Sequence, residues 1–324
     1  MLNCVVVIPT LNEESKIGEL IQSLNDDEYP NKEIIVVDGG SKDKTVEISE
    51  KNGAIVILEK GENKSLPMAR NQGAEYAIKG GNVDVLCFID GDLVLSHNFV
   101  SNAMAHFNED SEMVAVRTVA NSIRDSVLMK AYSPVEDITK LIKKNTNAPP
   151  PPAHFYRKDI FELAGGFEAL GFREDWTFYN KVRKIVEEKG GKIILEEKCT
   201  RYGKFDSIKE FYKQQEWYGR TFFPYVEYAG WKSGLKDLFI LMPIGYIASI
   251  IVSLGAFSIT GKSIFLIVGV PFCIKMIKII YRSVKYQSAY VFPHFLLNSI
   301  GNYFFIKGMI KYIIGDDRLS RGDE

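Results

Sequence analysis

Four short apolar runs, separated by stretches of mixed polarity, organise the first 110 residues. Residues 4–8 (CVVVI), 33–37 (EIIVV), 54–58 (AIVIL) and 83–89 (VDVLCFI) are rich in β-branched side chains and alternate little between apolar and polar positions. Such runs predict strands buried on both faces of a parallel sheet. Between them the spacing predicts helices over residues 13–24, 43–52 and 66–79. Asn12 and Ser41 or Asp43 are the expected N-caps, with Glu13 and Glu14 near the positive end of the first helix. Strands and helices in this alternation form βαβ units, and such sheets bind ligands beyond the carboxyl ends of their strands. The polar residues directly after each strand are therefore the ones to watch.

Further along the pattern changes. Residues 94–234 mix helices with loops and include four consecutive prolines, Pro149 to Pro152, which are incompatible with a helix or a central strand and predict an extended loop. From Leu238 to Gly261 there is no charged residue for 24 positions, long enough to cross a bilayer core of roughly 20 apolar residues. Two later stretches, 263–281 and 286–306, are candidates for further spans or for interfacial helices. The first carries Lys275 and Lys278, the second Pro293, His294, Asn298 and Asn302. The expected division is a catalytic domain over residues 1–234 and a membrane-associated helical region over 235–324. No internal repeat is visible.

Charge sharpens this division. Residues 235–324 hold ten Lys/Arg and five Asp/Glu, whereas the first 234 hold 30 and 36. An acidic front part argues against nucleic acid as a partner, and a basic apolar tail suits anionic lipid head groups. By the positive-inside rule Lys275, Lys278, Arg282 and Lys285 belong on the cytoplasmic side. Cys4, Cys87, Cys199 and Cys273 are scattered without metal-ligand spacing, which fits buried thiols in a reducing compartment. Strand-like sequence begins at Asn3, leaving no signal peptide, so the expected location is the cell membrane with the catalytic part in the cytoplasm.

The chemistry-bearing residues fall at the predicted strand ends. Asp90-Gly91-Asp92 closes the fourth strand. Two carboxylates about one small residue can meet a single divalent cation, Mn²⁺ or Mg²⁺, and leave positions open for phosphate oxygens. Pro9-Thr10-Leu11-Asn12-Glu13 follows the first strand. Asp38-Gly39-Gly40-Ser41 follows the second, with Asp38 a hydrogen-bond acceptor for a nucleobase or ribose and the glycines allowing a tight turn. Arg70 opens the helix before the fourth strand, within reach of a diphosphate. Asp175, beside Glu174 and Trp176 at a helix start, is the candidate general base for an acceptor hydroxyl.

In order, VVIPTLNEE, VVDGGSKDKT, ARNQGAEYA, FIDGD and GGFEALGFREDW resemble the family 2 glycosyltransferases, inverting enzymes of the GT-A fold, over about residues 3 to 185. The resemblance implies an α/β, Rossmann-like nucleotide-sugar domain in which Pro9, Thr10, Asn12, Glu13, Asp38, Arg70 and Asp90 bind the donor. It further implies that Asp90 and Asp92 hold the metal and that Asp175 is the catalytic base, with Glu174, Trp176 and Trp217 on the acceptor side. The membrane tail resembles that of members acting on polyprenyl phosphate or lipid-linked saccharides. Two departures stand out. Gly39 occupies a position where many members carry a second Asp, and Gln214 to Arg220 does not match the spacing of the Gln/Arg/Trp motif of processive members. Two other functions are weighed. A nucleotidyltransferase would want a glycine-rich basic loop after the first strand, and residues 9–14 have neither glycine nor a cation. A membrane-tethered nucleotide-sugar binder without catalysis would need no base.

Overall fold

The computed structural model describes residues 1–61, 64–122, 126–132, 153–203, 207–237, 242–261, 269–285 and 289–316. The four-proline run lies outside the described residues. These residues divide into two compact units, the first built on a sheet within residues 1–203, the second on helices from 126–132 and 207–316. The division falls ahead of the 234/235 boundary expected from composition, because the helices Ile208–Arg220 and Phe222–Ala229 belong to the second unit.

Among the described residues of the first unit eight strands lie side by side in the order β3-β2-β1-β4-β7-β6-β8-β5. They are β1 (Cys4–Thr10), β2 (Lys32–Asp38), β3 (Ile55–Leu58), β4 (Val85–Phe88), β5 (Val94–Leu95), β6 (Met113–Ser122), β7 (Ala153–Arg157) and β8 (Lys192–Gly203). The first four run parallel, as the apolar runs predict, and β7 joins β4 antiparallel, making the sheet mixed.

The reason the runs do not alternate is visible in the packing. Cys4, Val6 and Ile8 of β1 face one core with Ile17, Leu20, Ile21 and Leu24 of the helix Ile17–Asn25 and with Phe99 and Met104 of the helix Phe99–Glu109. Val5 and Val7 face a second core with Ala69, Ala74 and Ala77 of the helix Leu66–Gly80 and with Phe178 and Val182 of the helix Glu174–Lys189. Both faces of the sheet are thus covered, which demands apolar side chains at every position of a central strand.

The helix Leu66–Gly80 sits close to the sheet because residue 73 is glycine. A Cβ there would lie 2.3 Å from Val7 Cγ1 and 2.9 Å from Val37 Cγ2. Gly73→Ala would gain up to about 1 kcal/mol of helix propensity, yet overpacking costs about 1–3 kcal/mol. The expected result is a net loss of stability, read as a lower urea midpoint; a midpoint equal to or above that of the unaltered chain would show that the sheet yields.

Two local expectations are corrected. Asn12 is not an N-cap: the first helix begins later, at Ile17, and Asn12 adopts a left-handed conformation with φ of 57°. Neither Ser41 nor Asp43 is the N-cap of the second helix, Thr45–Lys51: that position is Lys44, and Asp43, one residue earlier, accepts the Thr45 N–H at 3.0 Å.

The second unit is all helix among its described residues. Val127–Tyr132, Ile208–Arg220, Phe222–Ala229 and Trp231–Asp237 are followed by Met242–Thr260, Val270–Lys285 and Val291–Ile313. Ile208–Arg220 and Val291–Ile313 meet backbone to backbone. A Cβ at Gly219 would lie 1.8 Å from the Phe305 carbonyl oxygen, and one at Gly308 would lie 1.9 Å from that of Glu216. Glu216 receives the Lys307 ammonium at 2.7 Å and the Lys311 ammonium at 2.5 Å across the same contact.

The expected spans are revised. Of 238–261 the described helix is Met242–Thr260; 263–281 and 286–306 become Val270–Lys285 and Val291–Ile313, with residues 238–241, 262–268 and 286–288 outside the described residues. Among the described residues no helix is long and apolar enough to cross a membrane. Physically, Val270–Lys285 carries four cations, and Val291–Ile313 buries Ser299 and Asn302 against its neighbours.

Candidate active site

The polar turns at the carboxyl ends of β1, β2 and β4 meet at one edge of the sheet. Thr10, the last residue of β1, is in register with Asp38, the last of β2, and the Gly39 N–H donates to the Thr10 carbonyl at 2.9 Å. The turn Asp90-Gly91-Asp92 leaves β4 beside them. A Cβ at Gly91 would lie 2.8 Å from Thr10 Cγ2, so only glycine lets this turn pass so close.

Asp38 is 2% exposed, and its carboxylate folds its own loop. It accepts the N–H groups of Gly40 and Ser41 at 2.9 and 3.0 Å, and the Ser41 hydroxyl as well. The β1 and β2 loops are then latched to each other. The Asn12 N–H donates to Ser41 Oγ at 2.9 Å, while the Lys42 N–H donates to Asn12 Oδ1 at 2.8 Å. The Glu13 N–H donates to Thr45 Oγ1 at 2.8 Å. Pro9 is buried within β1. The Lys64 ammonium donates to the Gly39 carbonyl at 2.9 Å, a contact that no local motif announces.

Arg70 is the centre of the charge arrangement. Its guanidinium donates to Asp90 Oδ1 at 2.6 Å through one terminal nitrogen and to Glu174 Oε1 at 3.2 Å through the other, and it lies over the Phe167 ring at 5.3 Å from the centroid. Burial works against its charge, but Asp90 and Glu174 together hold its pKa above the ordinary guanidinium value. The same burial, reinforced by the negative charge of Asp175, pushes the Glu174 carboxyl up to about 8 in spite of Arg70. Asp175 is more open than Glu174, and its Oδ1 accepts the Trp176 N–H at 2.7 Å. Its field acts on both Arg70 and Glu174. Asp90 and the Glu174–Asp175 pair, 84 and more residues apart in the chain, are thus joined through one cation.

The helix start that carries these carboxylates is anchored from the other side. The Asn71 side chain donates to the Phe167 carbonyl and accepts the Phe167 N–H, both at 2.8 Å. Gly166, at φ +71°, has no room for a side chain, since a Cβ would lie 2.7 Å from Asn71 Oδ1. Arg173, the residue before Glu174, takes the left-handed conformation at φ 58°, a position that costs a non-glycine residue energy and re-aims the chain at the site. Trp176 packs against the core and stands edge-on to Tyr179 at 6.2 Å, with only part of its surface open. Trp217 lies in the second unit and is 3% exposed, so it offers no ring face to an acceptor.

The donor set suits a hard divalent cation brought in with phosphate. Asp90 and Asp92 are both partly exposed oxygen donors, and Thr10 Oγ1 is buried beside them without a hydrogen-bond partner. Among the described residues no group of three or more His, Cys, Asp or Glu is placed to hold a metal ion by itself, so such an ion would complete its shell from a ligand.

Residues 5–164 match the family model described as Glycosyl transferase family 2. The match covers just under half of the chain, which is similar to that family over these residues. An uncharacterized protein of Methanocaldococcus jannaschii is 51% identical over 59 residues, 17% of this chain and 24% of the relative. The poly(ribitol-phosphate) beta-N-acetylglucosaminyltransferase TarS of Staphylococcus aureus is 28% identical over 111 residues, 34% of this chain and 19% of TarS. This chain therefore covers a quarter or less of either relative's length. Among solved structures, a mannosyltransferase of Pyrobaculum calidifontis in complex with GDP-Man and Mn²⁺ superposes with a TM-score of 0.59 at 16% identity, covering 97% of this chain and 88% of that one. That likeness establishes the fold, an α/β GT-A-like glycosyltransferase fold with a mixed sheet.

Proposed function

We propose that the chain is an inverting, metal-dependent glycosyltransferase, moving a sugar from a nucleoside-diphosphate sugar to a lipid-borne acceptor at the cytoplasmic membrane surface. The observation that carries this reading is the single arginine, Arg70, that joins the Asp-Gly-Asp turn to the Glu174–Asp175 helix start.

In this reading the latched loops after β1 and β2, with Asp38 at their base, form the floor for the nucleoside. Asp90 and Asp92 would hold Mn²⁺ or Mg²⁺, which would supply neutralising charge for the departing diphosphate. Asp175 takes the proton from an acceptor hydroxyl as its oxygen forms a bond to the anomeric carbon. The bond from that carbon to the β-phosphate oxygen breaks, the nucleoside diphosphate leaves, and the configuration inverts. Arg70, kept cationic by its two carboxylate partners, stands where negative charge develops. The Pyrobaculum mannosyltransferase, solved with GDP-Man and Mn²⁺, exemplifies this donor and metal class on the same fold.

A carboxylate base also favours one acceptor class. A hydroxyl must lose its proton to attack, whereas a polyprenyl phosphate arrives as an oxyanion and needs no base. A lipid-linked saccharide is therefore preferred.

The test is a thermal-shift screen of uridine and guanosine diphosphate sugars with and without Mn²⁺. The true donor at about 100 times its Kd stabilises the fold by about 2.7 kcal/mol and raises the melting temperature accordingly. Asp92→Ala is expected to lose the metal-dependent part of that rise. No shift with any donor, or a full shift in Asp92→Ala, would overturn the assignment.

A further inference from the structure

The helix Val270–Lys285 presents three different surfaces. On one, Ile279 is 4% exposed and packs with Val291, Phe295, Ile247 and Met276, which ties the helix to its own unit. On the opposite side Val270, Ile274, Ile277, Tyr281 and Val284 are all exposed, Val284 by 74%. They recur at alternating intervals of four and three, so they form one continuous stripe along the helix. Lys278, Arg282 and Lys285 follow the stripe on one flank, about 60–120° around the axis from its centre at roughly 100° per residue.

An aliphatic stripe left open to water is unfavourable, and the charges beside it narrow what covers it. The helix carries four cations and no carboxylate. A second copy docked on the stripe would bring the same cations together and repel. An anionic bilayer offers acyl chains to the stripe and phosphates to its flank at the same time. Sixteen residues rise about 24 Å, short of a hydrocarbon core of about 30 Å, so the helix fits the plane of the surface rather than a crossing. A neighbouring helix of the same unit repeats the motif, with Phe292, Leu296, Ile300, Tyr303 and Ile310 of Val291–Ile313 exposed at similar spacing.

We propose that Val270–Lys285 lies flat in the headgroup region of an anionic membrane, its Ile/Val stripe among the acyl chains and Lys278, Arg282 and Lys285 against lipid phosphates. The purpose rests on the lipid-borne acceptor reading above, but the binding is measured without sugar donor, so the two fail separately.

The experiment is flotation of the full chain with phosphatidylcholine vesicles, with and without phosphatidylglycerol. The chain is expected to float with the anionic vesicles and to stay behind with the neutral ones. The triple variant Lys278→Gln, Arg282→Gln, Lys285→Gln is expected to partition about a hundred-fold more weakly, roughly five-fold for each cation near the surface. Ile277→Asp is expected to weaken binding with every cation intact. Both variants should keep the urea midpoint of the unaltered chain, measured without lipid or donor, which shows that they are folded. Equal flotation of the triple variant, or equal binding to neutral and anionic vesicles, overturns the proposal. So does a dimer in sedimentation that Ile277→Asp dissolves while no vesicle is bound, because the stripe then belongs to a second copy.

Discussion

Asp175→Asn is expected to slow sugar transfer by about 10²–10⁴-fold while leaving donor binding in place. The substitution keeps the size of the side chain and an oxygen able to accept the Trp176 N–H, now made at 2.7 Å, so the helix start survives. What it removes is the capacity to take a proton. The measurement is an initial rate with the donor identified by thermal shift, compared with the melting temperature of the same variant. A rate equal to that of the unaltered chain would show that Asp175 is not the base. A full donor shift with no product in either form, across a panel of acceptors, would favour a nucleotide-sugar binder without catalysis.

Arg70→Ala carries the largest expected loss of stability, about 3–5 kcal/mol above pH 8, because there it strands the charge of the buried Glu174 carboxylate rather than merely deleting a contact. Arg70 and Glu174 have side chains only 8% and 10% exposed, and Asp90 loses its 2.6 Å partner in the same step. The loss depends on pH in a defined direction. Glu174 has its carboxyl raised from 4.5 to about 8 by burial and by Asp175, so it holds its proton well above the usual carboxylate range. A group raised in this way favours the fold fully below its unfolded value and withdraws that support as pH climbs through its folded value. Removing Arg70 raises Glu174 further. The variant should therefore be hurt more at pH 9, where Glu174 ionises without a cation beside it, than at pH 6, where it is neutral. Adding Glu174→Gln should recover part of the loss at pH 9. Urea unfolding at the two pH values decides the matter, and a destabilisation that does not change with pH would refute the buried pairing.

The strand ends were legible because they obey a local rule. An apolar run buried on both faces must stop where the chain leaves the sheet, so Asp38, Asp90 and Asp92 announce their place by following such runs. The motif order carried the resemblance for the same reason. What lay beyond reading was pairing at a distance. Arg70 and Glu174 are separated by 104 positions, and nothing in the spacing of either tells that one guanidinium serves two carboxylates. Asn71 is hidden likewise, an ordinary polar residue on a helix until Phe167 arrives at its amide. Trp217 misled in the opposite direction: an aromatic beside Tyr218 reads as a binding surface, but packing claims it. In the C-terminal part, apolar content alone does not separate a helix that crosses a bilayer from one that displays a stripe. Periodicity does so only once the buried face, marked by Ile279, is known.

The two-way clasp between Asn71 and Phe167 has a kinetic meaning. Arg70 and Asn71 are consecutive residues of one helix, so the guanidinium that meets Asp90 and Glu174 and the amide that grips the loop leading to Asp175 share one backbone. In the proposed transfer, the spacing between the Asp-Gly-Asp turn and Asp175 is then set by main-chain geometry, present before any substrate arrives. Alignment of this kind lowers the entropic part of the barrier in advance, leaving donor and acceptor to diffuse into an arrangement already made.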